Sequence, residues 1–152
     1  MRIGVISDTH DLLRPQAIDA LAGVDRILHA GDICGTNVLQ SLGNIAGVDA
    51  VRGNNDRGNW AAGLTETAAL ELGGVMVYML HDLAQLDLDP AAAGFRVVVS
   101  GHSHRPLAES RGGVLYLNPG SAGPRRFTLP VALAILEIAG DGIRAELKTL
   151  AV

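Results

Sequence analysis

Cysteine and aromatic residues are scarce in this chain. Cys34 is the only cysteine among 152 residues, so no intramolecular disulfide can form and an oxidising compartment is not implied. Aromatic residues make up 3% of the sequence, which argues against a protein that stacks the bases of single-stranded nucleic acid on aromatic side chains. We therefore expect a cytoplasmic protein with a core of Val, Leu, Ile and Ala.

Long apolar runs and an excess of positive charge are also missing. No stretch approaches the about 20 apolar residues that a membrane-spanning helix needs, and Met1-Arg2 leads directly into a predicted strand, which leaves no room for a cleavable signal. The net charge of -4 provides no long-range attraction to nucleic acid or anionic lipid. We expect neither membrane association nor a stable nucleic-acid complex.

The residues that are present favour one well-packed domain. Hydrophobic residues make up 48% and charged residues 18% of the chain, which is typical of a globular protein. A chain of 152 residues is long enough to bury roughly two thirds of its unfolded surface in a single core. We predict a single domain over residues 1–152, and the sequence leaves open whether the protein forms a homo-oligomer.

Short hydrophobic runs alternate with helical patterns in the first third of the chain. The runs are rich in β-branched residues and bounded by glycine or polar residues, as buried strands are. Because short crossovers between such strands force parallel pairing, successive strand ends should lie on one edge of a sheet. The pattern predicts strands at Ile3–Ile6, Arg26–Ala30 and Val48–Val51, a helix over Arg14–Leu21, and a helix from a Thr36 or Asn37 cap to about Leu42.

The rest of the chain reads mostly as β-structure. Two glycine turns and an Asp141-Gly142 turn separate runs that alternate as hairpin strands do. The segment Asp82–Leu88 fits a brief helix or an irregular loop, and Trp60 fits either a partly exposed lid or the core. The predicted strands are Thr67–Leu72, Val75–Leu80, Val97–Ser100, Pro106–Glu109, Val114–Leu117, Leu133–Ala139 and Ile143–Leu150.

Polar strings follow four of these runs, where the strands end. Side chains two residues apart in an extended segment point the same way, so Asp8 and His10 can share one metal ion, and His102 and His104 repeat the pattern. Mixed imidazole and carboxylate donors suit transition metals better than Ca²⁺ or Mg²⁺, and we expect two divalent ions, manganese first, with iron, zinc or nickel as alternatives. The strings are Asp8-Thr9-His10, Gly31-Asp32, Gly53-Asn54-Asn55-Asp56 and Gly101-His102-Ser103-His104.

Other polar residues complete a two-metal hydrolytic site. Asp32 could bridge the two ions, Asn54 offers a neutral amide oxygen, and His81 ends a strand beside the second ion. Two divalent ions against two carboxylates leave an excess positive charge that can hold hydroxide and a phosphate ester. We expect His29 to orient a neighbouring group or to pack under the site rather than to bind metal. Five arginines lie where a phosphate would arrive, or form an ordinary solvated surface: Arg52, Arg57, Arg105, Arg125 and Arg126.

These strings resemble the signature of the calcineurin-like metallophosphoesterase superfamily, which reads D-x-H, G-D, G-N-x-D/E, H and G-x-H. With Ser7 before the first string and Asn118-Pro119-Gly120-Ser121 later in the chain, the sequence is similar to the YfcE-type phosphodiesterase branch. The resemblance implies an α/β fold in four layers, a β-sandwich of two mixed sheets flanked by helices. The parallel and antiparallel halves of the chain would then correspond to the two sheets.

The resemblance also implies a role for each residue. One metal would be held by Asp8, His10, Asp32 and His104, and the other by Asp32, Asn54, His81 and His102. A bridging hydroxide would attack phosphorus in line while Asn54 helps to stabilise the equatorial oxygens, so Asn54, Asp32 and His102 are the residues we expect to be catalytic. Asp56 would position a ligand or its loop, and residues 118–121 would form a tight turn near the site or a plain structural turn.

Two positions depart from the family pattern. The residue after the metal-binding asparagine is commonly histidine, and here it is Asn55, which cannot act as a general acid. The glycine that usually follows the fourth histidine is replaced by Asp82, which bears on the assignment of His81. We predict weak activity on unactivated phosphomonoesters and better activity on small phosphodiesters.

Two alternative functions remain open at this point. A phosphomonoesterase would use the same ligands. A protein-binding scaffold of the same fold, similar to the retromer scaffold subunit, would have an eroded ligand set, whereas the set here is complete.

Overall fold

Ten strands form two five-stranded sheets in the computed structural model, which describes residues 1–140 and 142–152. The first sheet contains β1 (Arg2–Ile6), β2 (Arg26–His29), β3 (Gly47–Ala50), β9 (Ala132–Ala139) and β10 (Gly142–Thr149), in the order β10-β9-β1-β2-β3. The second contains β4 (Thr67–Leu72), β5 (Val75–Leu80), β6 (Val97–Val99), β7 (Leu107–Arg111) and β8 (Val114–Asn118), in the order β4-β5-β6-β8-β7.

Both sheets are mixed, which confirms the predicted fold class. The assignment of strands to the two sheets differs from the prediction. β1, β2 and β3 pair in parallel, but β9 pairs antiparallel with β1, so the C-terminal strands belong to the first sheet. In the second sheet β5, β6 and β8 are parallel. The expectation that the parallel and antiparallel halves form separate sheets is therefore wrong. Strand β9 is buried along most of its length, so it needs a neighbouring strand on each edge. These neighbours are β1 and β10.

The two α-helices contact the outer face of the first sheet. α1 (Pro15–Ala20) begins with proline, which is favoured at that position. α2 (Thr36–Gly43) has Gly35 as its N-cap and no side-chain cap, so the predicted capping by Thr36 or Asn37 is wrong. The absence of a side chain at Gly35 leaves room for the carboxylate of Asp11. The helices pack with a cluster that contains Ala17, Leu21, Ile27, Val38, Leu42, Leu133 and Ile135.

The main core lies between the two sheets. Alternate residues of β1 and β5 point into it, because side chains on a strand alternate between its faces. On the other face of β5, Tyr78 and Leu80 pack against Phe95 and the loop that contains Leu83. The segment predicted as a brief helix or loop forms a single 3₁₀ turn at Leu83–Gln85. The interior cluster includes Ile3, Val5, Leu28, Val77, Met79, Val97, Val99, Ala134 and Leu136.

Strand bounds agree with the sequence pattern to within about two residues, and the predicted β4-β5 hairpin has the bounds expected. Asp141, in the predicted terminal turn, lies outside the described residues. Trp60, in a 3₁₀ turn at Asn59–Ala61, is partly buried against the helix-side cluster. Over residues 1–140 and 142–152, no helix has the length and apolar character needed to cross a membrane.

Candidate metal centre

The polar strings meet where strands of both sheets end. Asp8 follows β1 and Asp32 follows β2, and the N–H of Asp8 donates to the Gly31 carbonyl at 3.0 Å. His81 follows β5, and its carbonyl accepts from the N–H of Gly101 at 2.9 Å. Gly31 has a φ of +100°, and a Cβ there would lie 2.7 Å from His81 Nδ1. Glycine therefore allows the Asp32 loop and the His81 strand end to approach each other.

The backbone of these loops is unusual. Eight non-glycine residues in the described part of the chain have a positive φ, and seven of them belong to the loops that carry the predicted ligands. Residues other than glycine rarely adopt a positive φ, and the resulting backbone strain persists only where the surrounding structure holds it in place. The seven are Asp8, His10, Asp11, Asp32, Cys34, His102 and His104, and the eighth is Phe127.

Asp8 is fully buried and uses its two oxygens differently. Its Oδ2 accepts hydrogen bonds from Ser7 Oγ at 2.6 Å and from the His102 N–H at 3.1 Å. Its Oδ1 has no hydrogen-bond partner among residues 1–140 and 142–152. Three imidazole nitrogens face this free oxygen, His104 Nε2 at 3.3 Å and the Nε2 atoms of His10 and His81 at 3.9 Å each.

Asp32 brings a second carboxylate to the same place. Its Oδ2 lies 3.4 Å from His81 Nε2 and 3.7 Å from His10 Nε2. The donor atoms form two groups, Asp8 with His10 and His104, and Asp8 with Asp32 and His81, and within each group they lie within 4.8 Å of one another. The buried Nε2 atoms of His10 and His81 have no hydrogen-bond partner in the part of the chain that the structure describes. Because buried polar atoms are rarely left unpaired, these donors fit bound cations.

The charges of these groups depend on one another. Burial raises the pKa of Asp8, but the contacts with His104 and Ser7 and the charge of His81 outweigh it and lower the pKa below its ordinary value. Burial likewise opposes ionisation of Asp32, but the nearby His81 ring and the hydrogen bonds from Asn55 hold its pKa far below its usual range. Burial lowers the pKa of His81, whereas Asp32 and Asp8 raise it, and the net direction is upward. Both carboxylates are therefore ionised at neutral pH and can attract cations.

The ring of His81 is held in one orientation. Its Nδ1 lies 2.7 Å from the carbonyl oxygen of Ala30. A carbonyl only accepts hydrogen bonds, so Nδ1 carries a proton and donates it. Nε2 is thereby directed at the two carboxylates, as expected for an imidazole that binds metal through one nitrogen and is oriented through the other.

Asn54 and His102 lie on the exposed side of the site. The His102 side chain is 46% exposed, its ring centroid is 5.2 Å from that of His81, and its Nε2 is 3.9 Å from Asp82 Oδ2. Asn54 is also exposed. Both line one cleft together with His81. The structure thus brings these three residues together, and ligation by Asn54 and His102 stays a prediction.

Asp56 organises the loops beneath the donors. Its carboxylate is buried and accepts four backbone hydrogen bonds of 2.8 to 2.9 Å. Hydrogen bonds to a charged group are stronger than those between neutral partners. Asp56 therefore joins its own loop to the loop that carries Asp32. The four donors are the N–H groups of Asp32, Ile33, Cys34 and Gly53.

His29 lies underneath the site and is fully buried. Its Nδ1 accepts from the Gly31 N–H at 3.1 Å. Its Nε2 therefore carries the proton and donates to Thr9 Oγ1 at 3.0 Å, and that hydroxyl donates to the Ile33 carbonyl at 3.2 Å. Burial lowers the pKa of His29 to about 4, so the ring is neutral at pH 7 and connects the Asp8 loop to the Asp32 loop.

The turn after β8 supports the two neighbouring loops. Asn118 Nδ2 donates to the Gly101 carbonyl at 2.9 Å and to Ser103 Oγ at 3.1 Å. Gly120, at φ +81°, donates its N–H to Asn118 Oδ1 at 2.9 Å. Ser121 Oγ donates to the Asp8 carbonyl at 3.0 Å. The contacts of Ser7 and Ser121 with Asp8 were not predicted, although both serines lie in the motifs that carry the family resemblance.

Two clefts open from the donor groups. The first, the Asn54 cleft, is lined by Arg52, Asn54, His81, Asp82, His102 and others. The second, the Phe127 cleft, is lined by His10, His104, Pro124, Arg125, Arg126 and Phe127. Arg105 lines a neighbouring cleft with His102, and Arg57 is exposed on the loop after Asp56.

Known proteins are similar to this chain in sequence and in fold. Residues 1–141 match the calcineurin-like phosphoesterase superfamily domain. A probable metallophosphoesterase of Methanothermobacter thermautotrophicus is 35% identical, with 97% of this chain and 91% of that protein covered. A phosphodiesterase of Methanocaldococcus jannaschii is 30% identical over 79% of this chain and 83% of that one.

Solved structures have the same fold. An archaeal phosphodiesterase superposes with a TM-score of 0.81 at 25% identity, over 97% of this chain and 100% of that chain. A single mutant of Vps29 from Entamoeba histolytica gives 0.76 at 25% identity, with 99% of each chain covered. YfcE, a phosphoesterase from E. coli, shares the fold at a TM-score of 0.71 and 24% identity, with 90% of this chain and 88% of that chain covered. The chain, as its polar strings predicted, belongs to the calcineurin-like phosphoesterase superfamily.

Proposed function

We propose that this protein is a dinuclear metal-dependent phosphodiesterase that hydrolyses a small phosphodiester. The observation that carries the proposal is the convergence of three buried atoms that have no hydrogen-bond partner in the described chain, Asp8 Oδ1, His10 Nε2 and His81 Nε2, within two donor groups that share Asp8. Carboxylate and imidazole donors fit a first-row transition metal. Manganese is our first choice, with iron, zinc and nickel as alternatives.

The donors divide between two cations. Asp8, His10, Asp32 and His104 would hold one ion, and Asp32, Asn54, His81 and His102 the other. When bound, such ions activate water as a nucleophile and neutralise the charge of the phosphoryl oxygens. The chain itself holds the carboxylates in place, since Ser7 and the His102 N–H fix Asp8 while Asn55 and Asp56 fix Asp32 and its loop.

Two features support a diester as substrate. A phosphodiester has two ester arms, and two clefts open from the donor groups, one beside His81 and His102 and one beside His10 and His104. At the position where the family commonly has histidine, the amide of Asn55 donates to Asp32 and cannot protonate a leaving group. The relatives that are named phosphodiesterases support the same assignment.

The proposal is tested with metal-reconstituted protein. Bis(p-nitrophenyl) phosphate and p-nitrophenyl phosphate have the same leaving group, and we expect a higher kcat/KM for the diester. Metal analysis should give two ions per chain, and Asp32→Asn and Asn54→Ala should lose activity. Asp19→Asn, on the exposed surface of α1, is the matched control and should retain it. A higher kcat/KM for the monoester would favour a phosphomonoesterase and contradict the proposal.

A protein-binding scaffold is the second candidate. The fold is shared with the Vps29 mutant over the whole chain. A scaffold does not need the candidate metal ligands for its role. Protein that binds metal but hydrolyses neither of the two p-nitrophenyl esters would therefore favour this candidate. The complete donor set favours the enzyme.

A further inference from the structure

Phe127 differs from the other aromatic residues of the chain. The sequence has two Phe, two Tyr and one Trp, and the structure describes all five. Phe95 and Tyr78 are buried, and Tyr116 and Trp60 are partly buried. Phe127 is 87% exposed. Leaving a phenyl ring in water forgoes the free energy that its burial would provide, so packing does not explain this residue.

The backbone of Phe127 is also unusual. The Leu129 N–H donates to the Arg126 carbonyl at 3.1 Å, which makes Phe127 the second residue of a turn. Its φ of +53° is the conformation for which such a position normally has glycine. Among the non-glycine residues that the structure describes, Phe127 is the one with a positive φ that lies outside the donor loops. The turn therefore holds an exposed ring in a conformation that glycine would adopt at lower cost.

The surroundings of Phe127 contain unpaired positive charge. Arg125 and Arg126 line the same cleft, and their guanidinium groups form no ion pair or hydrogen bond with any part of the chain that the structure describes. The same cleft is also lined by His10 and His104, which belong to the first donor group. A single cleft thus joins two guanidinium groups and a free aromatic ring to the candidate metal centre.

We propose that Arg125, Arg126 and Phe127 form a subsite for a nucleotide arm of the phosphodiester. The base would stack on the Phe127 ring, and the guanidinium groups would bind a second phosphate on the same arm, for which their planar donors are suited. This inference rests on the proposed function and specifies its substrate class. The scissile phosphate would lie at the donor groups, while the nucleotide arm extends along the Phe127 cleft.

The test compares diesters that have the same leaving group. Thymidine 5′-(p-nitrophenyl phosphate) has a base, ethyl p-nitrophenyl phosphate has none, and thymidine 3′-phosphate 5′-(p-nitrophenyl phosphate) has a base and a second phosphate. In Phe127→Ala we expect the preference in kcat/KM for the thymidine ester over the ethyl ester to fall about tenfold, the size of one lost base stack. Phe127→Tyr should keep the preference. Ile18→Ala, at another exposed apolar position, should not change it.

The arginines are tested separately. The double variant Arg125→Gln, Arg126→Gln should lose about tenfold of the preference for the 3′-phosphorylated ester, the effect of removing charge-assisted contacts to one phosphate, and keep the preference for the base. Calorimetry with thymidine 3′,5′-bisphosphate and manganese-loaded protein should show weaker binding to Phe127→Ala and to the double arginine variant than to the wild type.

The two proposals can fail separately. An unchanged thymidine preference in Phe127→Ala, or an equal loss with both esters, would overturn the subsite while diester hydrolysis stands. Absence of hydrolysis with all diesters would overturn the proposed function. Weaker binding of the bisphosphate to Phe127→Ala would then still support a nucleotide subsite.

Discussion

Asn55 holds the carboxylate of Asp32 by two hydrogen bonds of 2.9 Å, one from its backbone N–H to Oδ1 and one from its side-chain amide to Oδ2. The family commonly has histidine at this position. In this chain the residue therefore positions a predicted bridging ligand and supplies no acid.

Replacing Asn55 by histidine should change the choice of substrate. The variant gains an imidazole that can protonate a leaving group, an effect that typically contributes 10² to 10⁴-fold. We expect its kcat/KM for an unactivated alkyl phosphomonoester to rise at least about tenfold relative to the value for bis(p-nitrophenyl) phosphate. Kinetics of both esters with wild type and variant measure this. Efficient turnover of alkyl monoesters by the wild type would contradict the role assigned to Asn55.

Removing the Asp56 carboxylate should destabilise the protein. Asp56→Ala leaves four buried N–H groups without their acceptor, and lost hydrogen bonds to a buried charged group are among the most costly. We expect a decrease of about 4 kcal/mol in the free energy of unfolding. Urea unfolding, with Asp19→Asn as the control, measures it. A decrease below about 1 kcal/mol would show that other contacts hold the two loops.

Metal removal should lower thermal stability. Asp8 and Asp32 are buried and ionised, and a cation that binds only the folded state stabilises it by about 3 kcal/mol at 100 times its dissociation constant. We expect chelation to lower the Tm and added manganese to restore it. Asp32→Asn weakens the ligand proposed for both ions, so its Tm should change little with manganese. A wild-type Tm that is insensitive to chelator would count against the metal centre.

His29 should make stability depend on pH. Its pKa is lowered to about 4 in the folded protein and is about 6.5 when unfolded. Between these values the unfolded state binds the proton and the folded state does not, so stability increases with pH over this window and is lost towards pH 4. From pH 7.5 to pH 5 the free energy of unfolding of the wild type should decrease by about 2 kcal/mol more than that of His29→Gln. Urea unfolding of chelated protein measures the two slopes, and equal slopes would show that His29 titrates normally.

Phe127→Gly separates strain from function. Glycine adopts a φ of +53° without the steric cost that a side chain has there. Since the lost ring is exposed, we expect the free energy of unfolding to rise by about 1 kcal/mol, while the preference for the nucleotide arm falls as in Phe127→Ala. Calorimetric unfolding measures the first effect. A lower stability would mean that the phenyl ring makes stabilising contacts.

Much of the fold follows from local patterns, and one part does not. The β4-β5 hairpin is predictable because alternating residues around Gly73-Gly74 specify both strands and the turn between them. The position of β9 is not, because its pairing with β1 joins residues that are 129 to 135 positions apart in the chain. No short-range pattern encodes such a pairing. The division of strands between the two sheets was therefore predicted incorrectly although each strand was identified.

The identity of the candidate donors is a property of the sequence itself, since Asp8, Asp32 and the four histidines of the site stand where hydrophobic runs end, and strand ends are where polar side chains can converge. Their arrangement is a property of the tertiary structure. Only the packing of the two sheets makes Asp8 Oδ1 the atom that three imidazoles face, and only the strand pairing of the first sheet directs Asn55 onto Asp32 and brings Phe127 to a cleft with His10. Hydrophobic patterning acts over a few residues, whereas these contacts join residues that are remote in the chain and meet only after the sheets have assembled.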